Sequence, residues 1–332
     1  MRSLILSIII IFVIFGCQEK KSLQLIRIAG QTQGTYYAIS YYDKNAFDYQ
    51  IQIDSLLNEF DMTASMWEKK SIISAINNND TSVILNDVFI EIFNKAYEVS
   101  EKTNGAFDIT VGPVINVWGF GTKDRSKIDQ SLIDSLLPLV NYKALKIVGN
   151  ELTKDKPEIN IDFNAIAQGY SVDLLSKFLE SKGIKSYLID IGGEVFGKGK
   201  KADGSYWRVG IEKPSNNSSQ RELEAKVFLH NKALATSGSY RKFYIENGIK
   251  YSHTIDPATG YPVTHSLLSV SVLADDACTA DAYATAFMVM GLERSLEFLK
   301  ENNKLAAFFI YSDNNGNMKT LATEGINSIL IE

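Results

Sequence analysis

Cysteine is almost absent from this chain: two in 332 residues, Cys17 and Cys278. That excludes a disulfide framework and leaves a packed core as the source of stability. Positive charge is not in excess either. Lys and Arg number 34 against 39 Asp and Glu, for a formal net charge of −5, and no Lys/Arg-rich run occurs. Nothing here is built to neutralise a phosphate backbone, so nucleic acid is excluded as a partner. The longest apolar run, LILSIIIIFVIF at residues 4–15, is shorter than the roughly 20 residues that cross a bilayer comfortably. No GxGxxG follows a strand-like segment, which leaves a Rossmann cofactor site without support. Histidine occurs three times, so a histidine set in a stiff polar loop stands out.

What is present describes an ordinary globular chain, 45% hydrophobic and 22% charged. Its length fits one large domain or two closely packed lobes. The apolar run suits a signal-peptide core. It leads into Ile14-Phe15-Gly16-Cys17, an order similar to a bacterial lipoprotein signal, in which cleavage leaves Cys17 to be acylated. The alternative is an uncleaved membrane anchor; both readings export the chain and tether it. Residues 1–16 are then signal peptide, 17–23 the lipidated end and a short tether, and 24–332 the folded domain.

Alternation around glycines predicts a hairpin over 24–42. Helical spacing follows at Ile51, Ile53, Leu56, Leu57 and Phe60, and again from Val88 to Val99 behind a cap at Asn86 or Asp87. A glycine-rich stretch, GAFDITVGPVINVWGFG (105–121), precedes a helix near 129–138 and short strands over 144–161. A further helix over 164–183 stops at Gly183. The second half reads as strands, then a helix over 276–291, another near 292–302, and two terminal strands. SNNSSQ (215–220) is the loop with least periodicity. Strands and helices without regular βαβ alternation predict an α+β fold.

Four stretches could carry chemistry. In ADAYATA (280–286), helical spacing puts Asp281 and Thr285 on one face among small alanines. Carboxylate and hydroxyl are hard oxygen donors that suit Mg²⁺; a tightly packed core helix explains the same pattern. IDFNAIAQG (161–169) runs from a strand into a helix start, where Asp162 or Asn164 caps the free amides or an anion meets them. Phe107, Asp108, Trp118 and Phe120 combine a carboxylate with aromatics, in the manner of a site for a planar ring or of a core. YSHTIDPATGYP (251–262) is stiffened by two prolines around Gly260, and holds His253 either as a turn partner or as a reactive group.

Taken in order, GAFD…VGP…WGFG, IDFNAIAQGYSVD, IGGE, WRVGIEKP, ATSGSYR, HTIDPATGYP and ADAYATAFMVMG resemble the ApbE family of flavin transferases over about residues 30–330. The resemblance implies a two-lobed ApbE-like fold with a flavin site between the lobes. It implies an exported, Mg²⁺-dependent FAD:protein FMN transferase that attaches FMN through its phosphate to a threonine or serine hydroxyl and releases AMP. Its acceptor would be a flavoprotein subunit of a membrane electron-transfer complex. By matching motif, Trp67, Ala106, Phe107, Asp108 and Asp162 would contact FAD. The Ala165 carbonyl, Asp281 and Thr285 would hold the metal, and Thr236, Ser237 and Gly238 would lie near the flavin or pyrophosphate. His253, with a reference pKa near 6.5, is the candidate base. The chain departs from the family pattern at Gln33, Gln168 and Ser239. A Mg²⁺-dependent FAD pyrophosphatase giving FMN and AMP, and a lipid-anchored flavin-binding protein without turnover, are the competing readings.

Overall fold

The computed structural model describes residues 22–120, 128–214, 222–239, 243–246 and 249–331. Cys17, the signal-like run and the 215–220 loop fall outside them.

The expected hairpin is present as β1 (Gln24–Thr32) and β2 (Thr35–Asp43), joined by the tight turn at Gln33–Gly34. Four helices follow: α1 (Gln50–Ala64), α2 (Ile72–Asn77), α3 (Asp87–Lys102) and α4 (Gly112–Val117). Asn86 caps α3 by accepting from the Phe89 amide. In α1 the expected apolar face needs correction: Ile53, Leu57 and Phe60 are buried, but Ile51 is 81% exposed. Residues two apart on a helix point in nearly opposite directions, so Ile51 and Ile53 cannot share a face.

Next come α5 (Gln130–Leu136), the small ribbon β3 (Leu145–Val148) and β4 (Glu151–Lys154), and α6 (Ala167–Ser181). The α6 helix starts three residues later than its periodicity predicts, because Phe163 to Ile166 form a turn in which the Ile166 and Ala167 amides both donate to the Phe163 carbonyl. The remaining strands are β5 (Tyr187–Ile191), β6 (Glu194–Lys198), β7 (Trp207–Glu212), β8 (Leu223–Leu229), β9 (Lys232–Gly238), β10 (Phe243–Glu246), β11 (Ile249–Ser252) and β12 (Leu267–Ala274). The chain ends with α7 (Ala277–Glu301), β13 (Ala306–Ser312), β14 (Met318–Ala322) and α8 (Glu324–Asn327). The two helices expected around residue 291 are the halves of α7, broken where Gly291 takes φ 77° and ψ 176°. Only glycine enters that region cheaply.

Eight strands form one sheet in the order β1-β2-β5-β6-β9-β12-β13-β14, every neighbouring pair antiparallel. One face packs Ile28, Tyr37, Ile39 and Tyr41 against Ile53 and Leu57 of α1, Val172, Leu175 and Leu179 of α6, and Ala277 and Ala280 of α7. The opposite face packs Val195, Leu234, Leu273 and Phe308 under the β7–β8 ribbon. A third core joins α3, α7 and the 159–166 segment through Phe89, Phe163, Phe287 and Phe309. The fold is therefore α+β, with α1, α3, α6 and α7 on one face of an antiparallel sheet and the β7–β8 ribbon and the short α8 on the other.

Candidate active site

The turns at Gln33–Gly34 and Gly192–Gly193 and the end of β9 at Gly238 all lie at one end of the sheet. The first turn of α6 reaches this end. Gln33 Nε2 donates to Ser171 Oγ at 2.6 Å, and Ser171 Oγ donates to the Ala167 carbonyl at 3.0 Å. A methyl group at Gly192 would sit 2.9 Å from Thr35 Cγ2 and 3.3 Å from Gln168 Oε1. Gln33 and Gln168 thus stand where two hairpin turns meet the start of α6.

Gly169 brings α7 in. A Cβ there would lie 2.3 Å from the Ala277 carbonyl oxygen, so only glycine lets the two helices cross this closely. The contact places the Gly169 amide 3.0 Å from Asp281 Oδ2, to which it donates. One turn further along α7, Thr285 Oγ1 lies 3.3 Å from Ser237 Oγ on β9, while Thr236 Oγ1 is 2.7 Å from Ser271 Oγ on β12. Asp281 and Thr285 of α7 are thereby brought to Gly169 and Ser237, which lie far from them in sequence. Ala165 lies four residues before Gly169, in the turn that opens α6.

Asp281 is buried, and burial pushes its carboxyl up to about 7 against the partial compensation of the Gly169 amide. Such a group resists ionising unless a positive charge stands beside it. A carboxylate, a threonine hydroxyl and a backbone carbonyl are the hard oxygen donors that Mg²⁺ takes, so the residues present fit that ion.

Two carboxylates of the expected flavin-contact set serve the loops around the site. Asp162 is buried, its Oδ1 accepting from the Asn164 amide at 2.7 Å, and burial raises its carboxyl to about 6. Its own amide donates to the Ile109 carbonyl at 2.7 Å, which fastens the 105–111 loop to the start of α6. Asp108 is also buried. Its Oδ1 accepts from the amide and hydroxyl of Thr110 and its Oδ2 from the Tyr142 amide, while burial pushes its carboxyl up. Ala106 and Phe107 are buried beside it, Phe107 in the core shared with α3 and α7. The grouping of Phe107, Asp108, Trp118 and Phe120 resolves into a core ring, a loop-fixing carboxylate and two rings that face the His253 loop.

That loop is held from several sides. Trp118 Nε1 donates to the Gly260 carbonyl at 2.9 Å, and the Phe120 ring stands edge-on to His253 at 6.3 Å between centroids. Asp256 closes the turn, its carbonyl accepting the Gly260 amide at 2.8 Å and its amide donating to the Tyr261 carbonyl at 2.9 Å. Ile255 is buried with Val114, Trp118 and Ile133. Trp67 lies between α1 and α2 with its ring 65% exposed. Asn77, at the end of α2, exchanges two hydrogen bonds with the backbone of Ile161 at 2.7 and 2.8 Å, tying this segment to the residue before Asp162. Ser239 is buried, its hydroxyl donating to the Leu268 carbonyl at 3.4 Å.

Sequence reasoning missed Asn77 and Asp173. Asp173 accepts the Ala277 and Cys278 amides at 2.8 Å each, and burial raises its carboxyl to about 7. With Asp276 and Cys278 it forms a cluster of metal-ligating types. Its oxygens are engaged with the first amides of α7, Asp276 caps the same helix through the Thr279 amide, and burial pushes the Cys278 thiol well up. This cluster is accounted for as a helix start.

The sequence model of the ApbE family matches residues 33–309. An FAD:protein FMN transferase of Vibrio cholerae is 35% identical over 325 residues, spanning 95% of this chain and 96% of that protein. One from Haemophilus influenzae is 34% identical over 316 residues, spanning 91% and 90%. The solved structure of the flavin transferase ApbE from Vibrio cholerae superposes with a TM-score of 0.83 at 34% identity, covering 92% of this chain and 99% of that one. The apo Pseudomonas stutzeri flavinyl transferase gives 0.82 at 30% identity, covering 92% and 97%.

Proposed function

The chain belongs to the ApbE family, and from that premise we propose that it is a transferase moving FMN from FAD to a hydroxyl of a target protein. We further propose that the hydroxyl is a threonine's or serine's, that Mg²⁺ assists, and that AMP leaves. The observation that carries the finer reading is Asp281: a buried carboxylate on an alanine-rich helix, one turn from a threonine hydroxyl.

The acceptor oxygen bonds to the FMN phosphorus, the bond from that phosphorus to the bridging pyrophosphate oxygen breaks, and its electron pair leaves on AMP. Asp281, Thr285 and the Ala165 carbonyl would hold Mg²⁺, which when bound offsets the charge of the pyrophosphate. His253 takes the proton that the acceptor hydroxyl loses. The Trp118–Gly260 hydrogen bond and the Asp256 turn stiffen the loop that follows His253, which would limit the reorganisation its role requires. Trp67, Thr236, Ser237 and Gly238 would line the approach of FAD, with the buried Ala106, Phe107, Asp108 and Asp162 shaping the loops behind it.

The acceptor is read as a flavoprotein subunit of a membrane electron-transfer complex. The chain itself is read as an exported lipoprotein anchored through Cys17 and facing the periplasm or cell exterior. Incubation with FAD, Mg²⁺ and a threonine-bearing acceptor tests the reading by mass spectrometry. An acceptor heavier by one FMN supports it; free FMN and AMP with unmodified acceptor would favour the pyrophosphatase, and bound but intact FAD a binding protein.

A further inference from the structure

The end of the sheet opposite the site gathers exposed apolar and basic side chains at the point where the folded domain begins. Gln24 pairs with Asp43, the Asp43 carboxylate accepts the Phe47 amide, and the Tyr42 amide donates to the Ser186 carbonyl. Tyr187 pairs with Lys198, and Gly199 lies against the Lys185 carbonyl. Phe47 stacks near Tyr49, which meets Phe178, over which Lys182 lies. Leu23 is 48% exposed and Phe47 50% exposed, and Lys44, Lys182, Lys185 and Lys200 are exposed around them.

Acidic groups at this end are fewer, five against six lysines, and two of the five are ion-paired while three keep their charge. Glu180 and Asp275 pair with Lys198 and Lys232, while Asp43, Asp48 and Asp203 accept amides in tight turns. Four exposed lysines set against three carboxylates leave a slight positive excess around two apolar side chains, in a chain whose net charge is −5, and that excess is complementary to an anionic lipid surface. Position points the same way. Leu23 is six residues after Cys17, a span that reaches at most about 20 Å.

We infer that this end of the domain, with Leu23 and Phe47 entering the headgroup layer and Lys44, Lys182, Lys185 and Lys200 meeting anionic phospholipid, docks directly on the bilayer. The inference rests on the tether reading of Cys17 and goes beyond it, because a lipid alone would leave the domain free to tumble. The nine residues of β1 run from this end to the Gln33 turn, about 30 Å at strand rise. Docking therefore turns the flavin site away from the membrane. If the transferase reading holds, an acceptor in the same bilayer presents its hydroxyl up to about 30 Å above the surface.

The test uses the full chain, lipidated at Cys17 and reconstituted in vesicles containing phosphatidylglycerol. Nitroxide labels are placed at Ala46→Cys beside the docking end and Gln31→Cys near the site end. The label at 46 should be shielded from a water-soluble nickel chelate and should collide with lipid-dissolved oxygen, while the label at 31 stays aqueous. Each lysine near an anionic surface contributes about fivefold to binding. Lys182→Gln, Lys185→Gln and Lys200→Gln together should therefore lower docking by on the order of a hundredfold, returning the label at 46 to water with the protein still vesicle-bound.

Equal nickel access at 46 and 31 in the wild-type chain would overturn the proposal and leave this end to a protein partner. Unchanged shielding in the triple variant would overturn it as well. FMN transfer by the triple variant to a soluble acceptor should be unchanged, which separates a failure of docking from a failure of the transferase reading.

Discussion

Asp281 sits where its charge is disfavoured, and its titration should report whether a cation binds beside it. Without a cation, Asp281 and Asp173 keep their protons up to about pH 7, whereas ordinary aspartates in the unfolded chain release them near 4. The folded state then binds more protons across that window. Stability fully present below pH 4 is lost as pH rises through 7. Thermal melts of the metal-free protein should thus show a lower Tm at pH 8 than at pH 5. Mg²⁺ should raise Tm at pH 8 and do little at pH 5, where the protonated ligand offers no charge; an equal Mg²⁺ effect at both would count against Asp281 as a ligand. Asp281→Ala should abolish Mg²⁺-dependent turnover, measured as AMP release, and retained wild-type rates would remove the assignment. The i, i+4 spacing of Asp281 and Thr285 made this pair legible in the sequence. Gly169 and Asn77 were not, because what singles them out is contact with Ala277, Asp281 and Ile161, more than eighty residues distant.

The crossing of α6 and α7 is the element-scale feature on which the site depends. Gly169→Ala inserts a methyl 2.3 Å from the Ala277 carbonyl, which must push the helices apart. Overpacking of this kind costs about 1–3 kcal/mol, and it also draws the Gly169 amide from Asp281. Denaturant unfolding should show that loss, and Mg²⁺ titration should show weaker binding; a stability loss with unchanged Mg²⁺ affinity would show that the crossing does not position Asp281. Asp173→Ala acts at the start of the same helix. It strands the Ala277 and Cys278 amides and should cost about 2–3 kcal/mol in denaturant unfolding, with FAD binding retained. Hairpins and capped helices were readable because alternation, Asn86 and Gly183 are local signals. The late start of α6 was hidden, since the Phe163 turn is held by long-range partners of Asp162 and Ile161.

At the scale of the whole molecule, one antiparallel sheet separates two ends with different surfaces. The hairpin turns, the α6 start and the middle of α7 meet at one end; the chain enters at the other. The order of motifs in the sequence carried the family and the lack of βαβ alternation the α+β class; the match over residues 33–309 agrees with the first, the antiparallel sheet and the solved relatives with the second. Which motifs face each other across the sheet was not legible, because strand order places β5 beside β2 and β9 beside β6 without any local signal.

The most direct test of the central claim is the mass of a threonine-bearing acceptor after incubation with this protein, FAD and Mg²⁺, beside the same reaction with Asp281→Ala. The account predicts one added FMN per acceptor threonine and equimolar AMP with the wild-type chain, and neither with the variant. An unmodified acceptor with FMN and AMP accumulating in solution would contradict it.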